Sequence, residues 1–547
     1  MTNQKPNPII RLLPSFTDLA FLMPFVYLFA RLDGASQILE GDTGWHLRTG
    51  EWIIANGRIP YHDIFSYSRP GEPWYAWEWL WDVVFAWIFG RGGMGAVVLV
   101  SIVVISLTFA LLYRLAARRS GNVLISAAVT LLALAASSVH WWARPHVFTW
   151  LFIVIALYIL EDKREGRRNL LWLLPPITVL WTNLHGGFMV GIVLLGTYAA
   201  GEIASALFAA DGAARKQALL RSRPYLVTAA GCLLASLCNP FTYHLHVHIA
   251  RYLANPDSPF FRFVGEWQTL SFHAPAARFF EVMLILAGAS AAWHASRRRF
   301  IEPLLILSWL HFALGMGRNI PLFAIFAVVP VAQAGAEVLH LLASNTELAR
   351  WARNAIGTLN EISEEIGALE RIRRIHAVSV LTFAAIALLL YIPGAPSRFQ
   401  SDYDPKKYPV QAVQKLTAEA RSERIFTTDE WGDYLIWTLA PKTRVFIDGR
   451  FDFYGEKFTV KYLDLVEAKY DWAKTLDDYR IRFVLLPIAT PLTAALKESS
   501  RWNTIYDDGV SIMFRQKGEK SSVVVSHDGK RSGDSATRIN KRRNDTL

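Results

Sequence analysis

Between Ile38 and Ile54 the chain reads ILEGDTGWHLRTGEWII, which sets Glu40, Asp42, His46 and Arg48 close together and flanked by tryptophans. Carboxylates beside an imidazole and a guanidinium are the side chains of proton transfer and anion binding. The stretch follows an apolar run that should cross a membrane. For Asp42 the plainer role is a turn or helix cap, which GDTG would suit. Its neighbours Glu40, His46 and Arg48 favour the functional reading.

Other unusual polar residues recur between apolar segments. They are His140, Arg144 and His146 in HWWARPHVF, Asn183 and His185 in WTNLHGGF, and Arg318 and Asn319 in GMGRNIP. A fourth group, His244, His246, His248 and Glu266, lies between the segments near 224–238 and 277–295. Polar side chains at membrane depth are costly unless paired or facing water, so they read first as functional. Each also has a plainer role: snorkelling or capping for Arg144, His146 and Arg318, a tight helix end for Asn183 and His185, and a surface loop for Glu266. The period-two histidines are spaced as a strand-borne ligand set would be. They read more simply as the polar side of an amphipathic interfacial segment.

The elements that must position these residues follow from composition. Of 547 residues 52% are hydrophobic and 20 are tryptophan, too apolar and too rich in long apolar runs for a soluble multidomain protein. Apolar segments recur near 15–32, 94–115, 122–139, 147–160, 170–184, 187–207, 224–238, 277–295, 302–316, 320–342 and 376–393. They predict a polytopic α-helical membrane protein with about eleven transmembrane helices. The net charge of +11 comes from Lys and Arg clusters near 114–119, 163–168, 215–223, 297–299 and 371–374. These fall in alternate loops and read as topology signals rather than as a nucleic-acid surface. The N-terminus is then cytoplasmic and the opposite, periplasmic, side receives the C-terminal region, as in a bacterial inner membrane. The two cysteines, Cys232 and Cys238, offer no disulfide framework or cysteine-rich metal site.

Three regions are expected. Residues 1–394 form the membrane domain, within which 33–93 is a long first outer loop ending in WYAWEWLWDVVFAWIFG, an interfacial helix carrying Glu78 and Asp82. Residues 395–516 form a soluble α/β domain, with strands at RIFTT, RVFID, IRFVLLP and VSIMFR and helices at Phe458 to Lys469 and Pro491 to Glu498. Thr490 and Pro491 suit the start of the second helix. Residues 517–547 are polar, charge-mixed and disordered. Between about Ala343 and Arg374 the spacing predicts an amphipathic cytoplasmic helix.

An outward acid beside a membrane-embedded groove suits a general base acting on an acceptor hydroxyl or amide, while arginines hold the phosphate of a leaving lipid carrier and aromatic walls stack on sugar. One outward carboxylate is enough for inverting displacement, whereas glycoside hydrolysis calls for two paired carboxylates and a water.

GDTGWHLRTGEWIIANGRIP, followed by DIFSYSRPGEPW, resembles the first periplasmic loop of the C-type (GT-C) superfamily of polyprenyl-phosphate-dependent glycosyltransferases. That superfamily includes protein O-mannosyltransferases, aminoarabinose transferases and oligosaccharyltransferase catalytic subunits. The resemblance implies that Asp42 is the catalytic base or acceptor-orienting acid, with Glu40 as its substitute. TTDEWGDYLIWTLAPKTRVFIDGR, Thr427 to Arg450, is similar to the acceptor-binding motif of oligosaccharyltransferase subunits, with Trp431, Asp433 and Tyr434 at its centre. Gly432 stands where that family has a second tryptophan. Read from its residues alone, this segment is a helix and strand in a small α/β core, with Asp448 and Arg450 as a salt bridge. HWWARPHVF lacks the acidic pair of metal-dependent members, though Asp42 with Glu266 could hold a divalent cation, Mg or Mn.

The expectation is therefore a glycosyltransferase moving a hexosyl or pentosyl group from a polyprenyl-phosphate donor to a glycan, lipid or protein acceptor at the periplasmic face. Asp42 and Glu40 would be catalytic. His46, Arg48, Arg144, His146, Asn183, His185, Glu266, Arg318, Asn319, Trp431 and Asp433 would bind substrate. The alternatives are a lipid or sugar transporter or flippase, a glycan polymerase or ligase, and a non-catalytic scaffold with the same fold. A transporter would show paired halves with broken helices, and no repeat is evident.

Overall fold

The computed structural model describes residues 8–32, 34–253, 263–417 and 421–518. The tail expected to be disordered lies outside the described residues from position 519 on, as does Asp33 at the start of the first outer loop.

The N-terminal part is a helical assembly. Its helices are α1 (Phe16–Arg31), α2 (Gly41–Asn56), α3 (Trp79–Ser120), α4 (Val123–Ser137), α5 (His146–Arg164), α6 (Leu174–Leu184), α7 (Phe188–Leu207), α8 (Gly212–Ala235), α9 (Tyr243–Leu253), α10 (Ala277–Ser296), α11 (Ile301–Gly315), α12 (Ile320–Ser344), α13 (Arg350–Glu370) and α14 (Ala377–Tyr391). Every apolar segment of the sequence falls on one of these helices. Six stretches are long and apolar enough to cross a membrane by length and composition: Ile10–Arg31, Trp79–Ser120, Val123–His140, Phe188–Leu207, Ala277–Ser296 and Gly317–Ser344. Leu171–Leu184, Ile301–Gly315 and Ala377–Tyr391 are shorter apolar helices. One large apolar core runs through the bundle and includes Phe25, Trp81, Phe109, Ile153, Phe188, Phe280 and Phe323.

Local signals set several boundaries. Ser15 caps α1 in a reciprocal box with Asp18. Helix α3 is bent at Gly93, so the aromatic Trp79–Gly92 stretch and the apolar span beyond it are two helices in near continuity rather than separate elements. The amphipathic stretch predicted after Ala343 is α13, whose charged face is exposed.

The C-terminal part is built on a four-stranded sheet in the order β1-β2-β4-β3. Its strands are β1 (Ile425–Phe426), β2 (Phe483–Pro487), β3 (Trp502–Asp507) and β4 (Ser511–Gln516). β1 runs parallel to β2, and β2 and β3 pair antiparallel with β4. Around it lie α15 (Val410–Lys415), α16 (Asp429–Leu439), α17 (Phe451–Val466), α18 (Trp472–Asp478) and α19 (Pro491–Glu498). α19 occupies the span its proline predicted, with Thr490 at the cap position but no side-chain cap bond. RVFID is not a ladder strand: only Val445 makes bridges, to Ser66 and Ile425. The chain turns there to bury Asp448 and Arg450. The edge strand β3 had been left unassigned by the alternation pattern, because its outer face is exposed and polar.

Candidate active site

Helix α2 begins at Gly41, so Asp42 sits in its first turn, where unpaired backbone N–H groups create positive potential. Asp42 is buried. Its Oδ1 accepts from Trp45 Nε1 at 3.1 Å, and its Oδ2 pairs with Arg144 Nη2 at 2.6 Å. Arg144 lies in the short link before α5, which two bonds hold against the start of α2. Ala143 N–H donates to the Ile38 carbonyl at 2.7 Å, and the Thr43 hydroxyl donates to the Ala143 carbonyl at 3.2 Å.

Arg144 Nη1 also faces Glu266 Oε2 at 3.3 Å and Glu40 Oε2 at 3.6 Å. Glu266 in turn pairs with Arg318 Nη1 at 3.1 Å and approaches His140 Nε2 at 3.7 Å. Arg318 stacks on Trp267, 4.4 Å from its ring centre. Asp42, Glu40, Arg144, Glu266, Arg318 and Trp267 line one cavity of about 420 Å³, together with Trp45, Trp74, Tyr75, Trp77, Trp142, His146 and His185. Nine carboxyl residues and three arginines line it, so burial leaves some of the acids protonated.

The environments push these carboxyls apart. Burial raises Glu40 well above the usual carboxylate range, and the charge of Asp42 adds to this. Glu266 is also penalised by burial, but Arg318 and Arg144 more than offset that and hold it below its ordinary value. Separated carboxyl affinities of this kind are how one site supplies both acids and bases.

A second chain of groups forms the wall formed by α2 and α3. His46 Nδ1 lies 2.6 Å from Asp82 Oδ1, and His46 Nε2 lies 3.4 Å from Glu78 Oε2. The other oxygen of Glu78 faces His185 Nε2 at 3.5 Å. Gly187 N–H donates to His185 Nδ1 at 3.0 Å, so the proton of this imidazole sits on Nε2, toward Glu78. Burial, and secondarily Arg144, holds His46 well below its ordinary value. Burial likewise lowers His185 to about 3 and pushes Glu78 up to about 8. Glu78 therefore keeps its proton at neutral pH between two neutral imidazoles.

The C-terminal part closes the cavity. Asp429, Glu430, Asp433, Gly449, Arg450 and Asp452 all line it. Asp433 accepts from Gly449 N–H at 2.9 Å, and burial followed by the nearby Asp42 raises it well above its ordinary value. Arg450 is buried and reaches Asp448 at 2.6 Å and Asp63 at 2.8 Å, with the Trp74 ring centre 4.5 Å away. The salt bridge expected between Asp448 and Arg450 is present, and it is tied into the first outer loop.

Of the sequence-predicted residues, the fold brings Asp42, Glu40, His46, Arg144, His146, His185, Glu266, Arg318 and Asp433 into this cavity. Four do not line it. Arg48 points away from the cavity, donates through Nε to the Trp437 carbonyl at 2.8 Å and stacks on that indole, tying α2 to α16. Asn183 accepts from Trp79 Nε1 at 2.8 Å and donates to the Cys238 carbonyl at 2.9 Å, a helix-packing role. Asn319 stands at the start of α12 and donates to the Phe312 carbonyl at 3.3 Å. Trp431 is buried in the core beside β2, its Nε1 donating to the Lys407 carbonyl at 2.8 Å.

His244, His246 and His248 lie on helix α9, not on a strand, so His244 and His248 share one face and His246 turns to the other side. His246 bonds Ser236 at 2.8 Å, and His248 meets Asp452 at 3.0 Å. Glu78 and Asp82 had been noted only as polar residues of an interfacial helix. Their spacing of four on an otherwise aromatic helix face was the signal for a site. Gly432 has a steric reason: a Cβ there would stand 2.0 Å from the Ile447 carbonyl oxygen. No tryptophan fits at that position.

Asp42, Glu40 and Glu266 converge, but the Arg144 guanidinium stands at the point of convergence. Among the described residues no group of three His, Cys, Asp or Glu side chains is arranged to hold a metal. These residues do not fit a divalent ion.

No protein-family profile matches the sequence, and no curated protein does. Solved structures do match. The Archaeoglobus fulgidus oligosaccharyltransferase tethered to an acceptor peptide containing the NVT sequon aligns over 86% of this chain and 68% of its own, with 14% identity and a TM-score of 0.50. The oligosaccharyltransferase AglB from the same organism, in complex with an inhibitory peptide and a dolichol-phosphate, aligns over 86% and 69%, with 15% identity and a TM-score of 0.50. At such identity the shared property is the fold alone.

Proposed function

We propose that this chain is an integral membrane glycosyltransferase. It transfers a hexosyl or pentosyl group from a polyprenyl-phosphate donor to a glycan, lipid or protein acceptor, with inversion. Residues 1–394 are its membrane domain and 395–516 its outer domain. It works at the periplasmic face of a bacterial inner membrane, with its N-terminus in the cytoplasm. The observation that carries the reading is the Asp42–Arg144 pair, 2.6 Å apart in an aromatic-walled cavity on a GT-C fold, with Arg318 bound to the same Glu266. The dolichol-phosphate and peptides held by the similar archaeal enzymes support a lipid-linked donor and leave a peptide among the acceptors.

In the reaction an acceptor hydroxyl or amide attacks the anomeric carbon while Asp42 takes its proton. The bond from that carbon to the phosphate oxygen breaks, and the electron pair leaves with the polyprenyl phosphate. Arg318 and Arg144 stabilise the departing phosphate with their guanidinium charge. Protonated Glu78 keeps a neutral carboxyl beside the sugar, where it donates to a hydroxyl. The indoles of Trp45, Trp74 and Trp142 supply flat faces for stacking.

The test is Asp42→Asn, assayed with membranes and a labelled polyprenyl-phosphate sugar. The variant folds and inserts, and transfer falls by about 10²-fold or more. Transfer at the wild-type rate would remove Asp42 from the mechanism.

A further inference from the structure

Three carboxylates converge on Arg144, and hard cations bind through two or more such groups, yet among the described residues no three His, Cys, Asp or Glu side chains are arranged to hold a metal. Asp42 and Glu40 come from the start of α2, and Glu266 from the segment before α10. The Arg144 side chain enters between them. One terminal nitrogen meets Asp42 at 2.6 Å, and the other meets Glu266 at 3.3 Å and Glu40 at 3.6 Å. The backbone just before it is clamped at Ala143, to the Ile38 carbonyl and to the Thr43 hydroxyl at the start of α2. The guanidinium is thus delivered to a fixed place rather than resting there by chance of rotamer.

We infer that Arg144 serves as a built-in cation in this site, doing with its guanidinium what a bound divalent ion would do. The inference rests on the reading of Asp42 as the acid of the site. A planar fork of five N–H donors can bridge carboxylates and a phosphate at once, and it stays charged at any working pH. Arg144 Nη1 donates to Glu266 at 3.3 Å, and the guanidinium forms ion pairs with Asp42 and Glu40. Among the described residues the ion pairs of Arg144 run through Nη1 and Nη2, and a leaving phosphate would be met by the remaining donors of the fork. A divalent ion at the same point would have to displace the guanidinium and would meet strong repulsion from its charge. Arg318, paired with the far oxygen of Glu266, keeps that carboxylate ionised and turned toward Arg144.

The experiment uses the full-length chain purified in detergent, titrated with Mn²⁺ and followed by the electron paramagnetic resonance signal of the free ion. The wild-type chain leaves Mn²⁺ free. Arg144→Ala, which vacates the point where three carboxylates meet, captures one Mn²⁺ per chain, and adding Asp42→Asn to it abolishes the capture. A wild-type chain that binds Mn²⁺, with the binding lost in Asp42→Asn, overturns the inference. So does a folded Arg144→Ala chain that binds none. Arg144→Gln, nearer in shape, replaces Arg144→Ala if the latter does not fold, and the wild-type measurement decides alone if neither does. These readouts need no turnover, so they stand or fall separately from the glycosyltransferase reading. In a transfer assay the wild-type rate is unchanged by EDTA, and a rate abolished by EDTA and restored by Mn²⁺ overturns the inference.

Discussion

The carboxylate of Asp42, in the first outer loop, rests on the backbone of Gly449, in the C-terminal part. A Cβ on residue 449 would stand 2.1 Å from Asp42 Oδ1 and 2.9 Å from Asp433 Oδ2. The candidate base is therefore held from two sides, by Arg144 and by a surface that only a residue without a side chain can present.

Gly449→Ala displaces Asp42 or Asp433 by about an ångström, and misplacement on that scale costs about 10²-fold in rate. The expected result is a large loss of kcat with a small change in melting temperature, read by transfer assay and thermal unfolding. An unchanged kcat would show that the C-terminal part only caps the cavity.

Glu78 makes stability depend on pH. Its ordinary value of 4.5 is pushed up to about 8 by burial, so the folded state binds the proton more tightly than the unfolded state. That contribution is fully present below about pH 4.5 and is lost as pH rises toward about 8. Glu78→Gln, which imitates the protonated acid, should flatten the decline of melting temperature across that window. The difference is on the order of 2–5 kcal/mol at the alkaline end. A variant whose pH profile overlays the wild type would mean that Glu78 relaxes toward solvent.

Arg450 is a buried cation between Asp63 and Asp448, with aromatic rings around it. Arg450→Ala leaves two buried carboxylates without their partner, which costs about 3–5 kcal/mol. Folded yield and thermal unfolding should both fall sharply. Loss of activity at wild-type stability would instead assign Arg450 to substrate.

Arg48 gives the opposite pattern. Its bonds run to the Trp437 carbonyl and to Glu51 rather than into the cavity. Arg48→Ala should lower stability by about 1 kcal/mol, the cost of leaving a part-buried carbonyl without its charged donor. It should change kcat far less than Asp42→Asn does. Comparing the two kcat values at a temperature where both chains are folded decides the point.

Residue types and local spacing by themselves determined the helices of this protein. Apolar runs bounded by charge become helices wherever backbone groups must bond within the segment. Cues such as Ser15 with Asp18, or Pro491 after Thr490, act over three or four residues and need no partner elsewhere. The acid proposed for the site lies in one local stretch with Glu40 and His46, so its candidacy could be read from sequence alone. The tertiary structure decided what each acid does. Whether a carboxyl binds a proton or a guanidinium depends on burial and on charges brought from distant segments, and these are long-range electrostatic terms that no window of sequence contains. Asp42 meets Arg144 and Gly449, His46 meets Glu78, and Glu266 meets Arg318 only because the helices and the C-terminal sheet pack as they do. Arg48, chemically as plausible as Arg144, was turned outward by one helix face, since its position on α2 points it at Trp437 instead of the cavity.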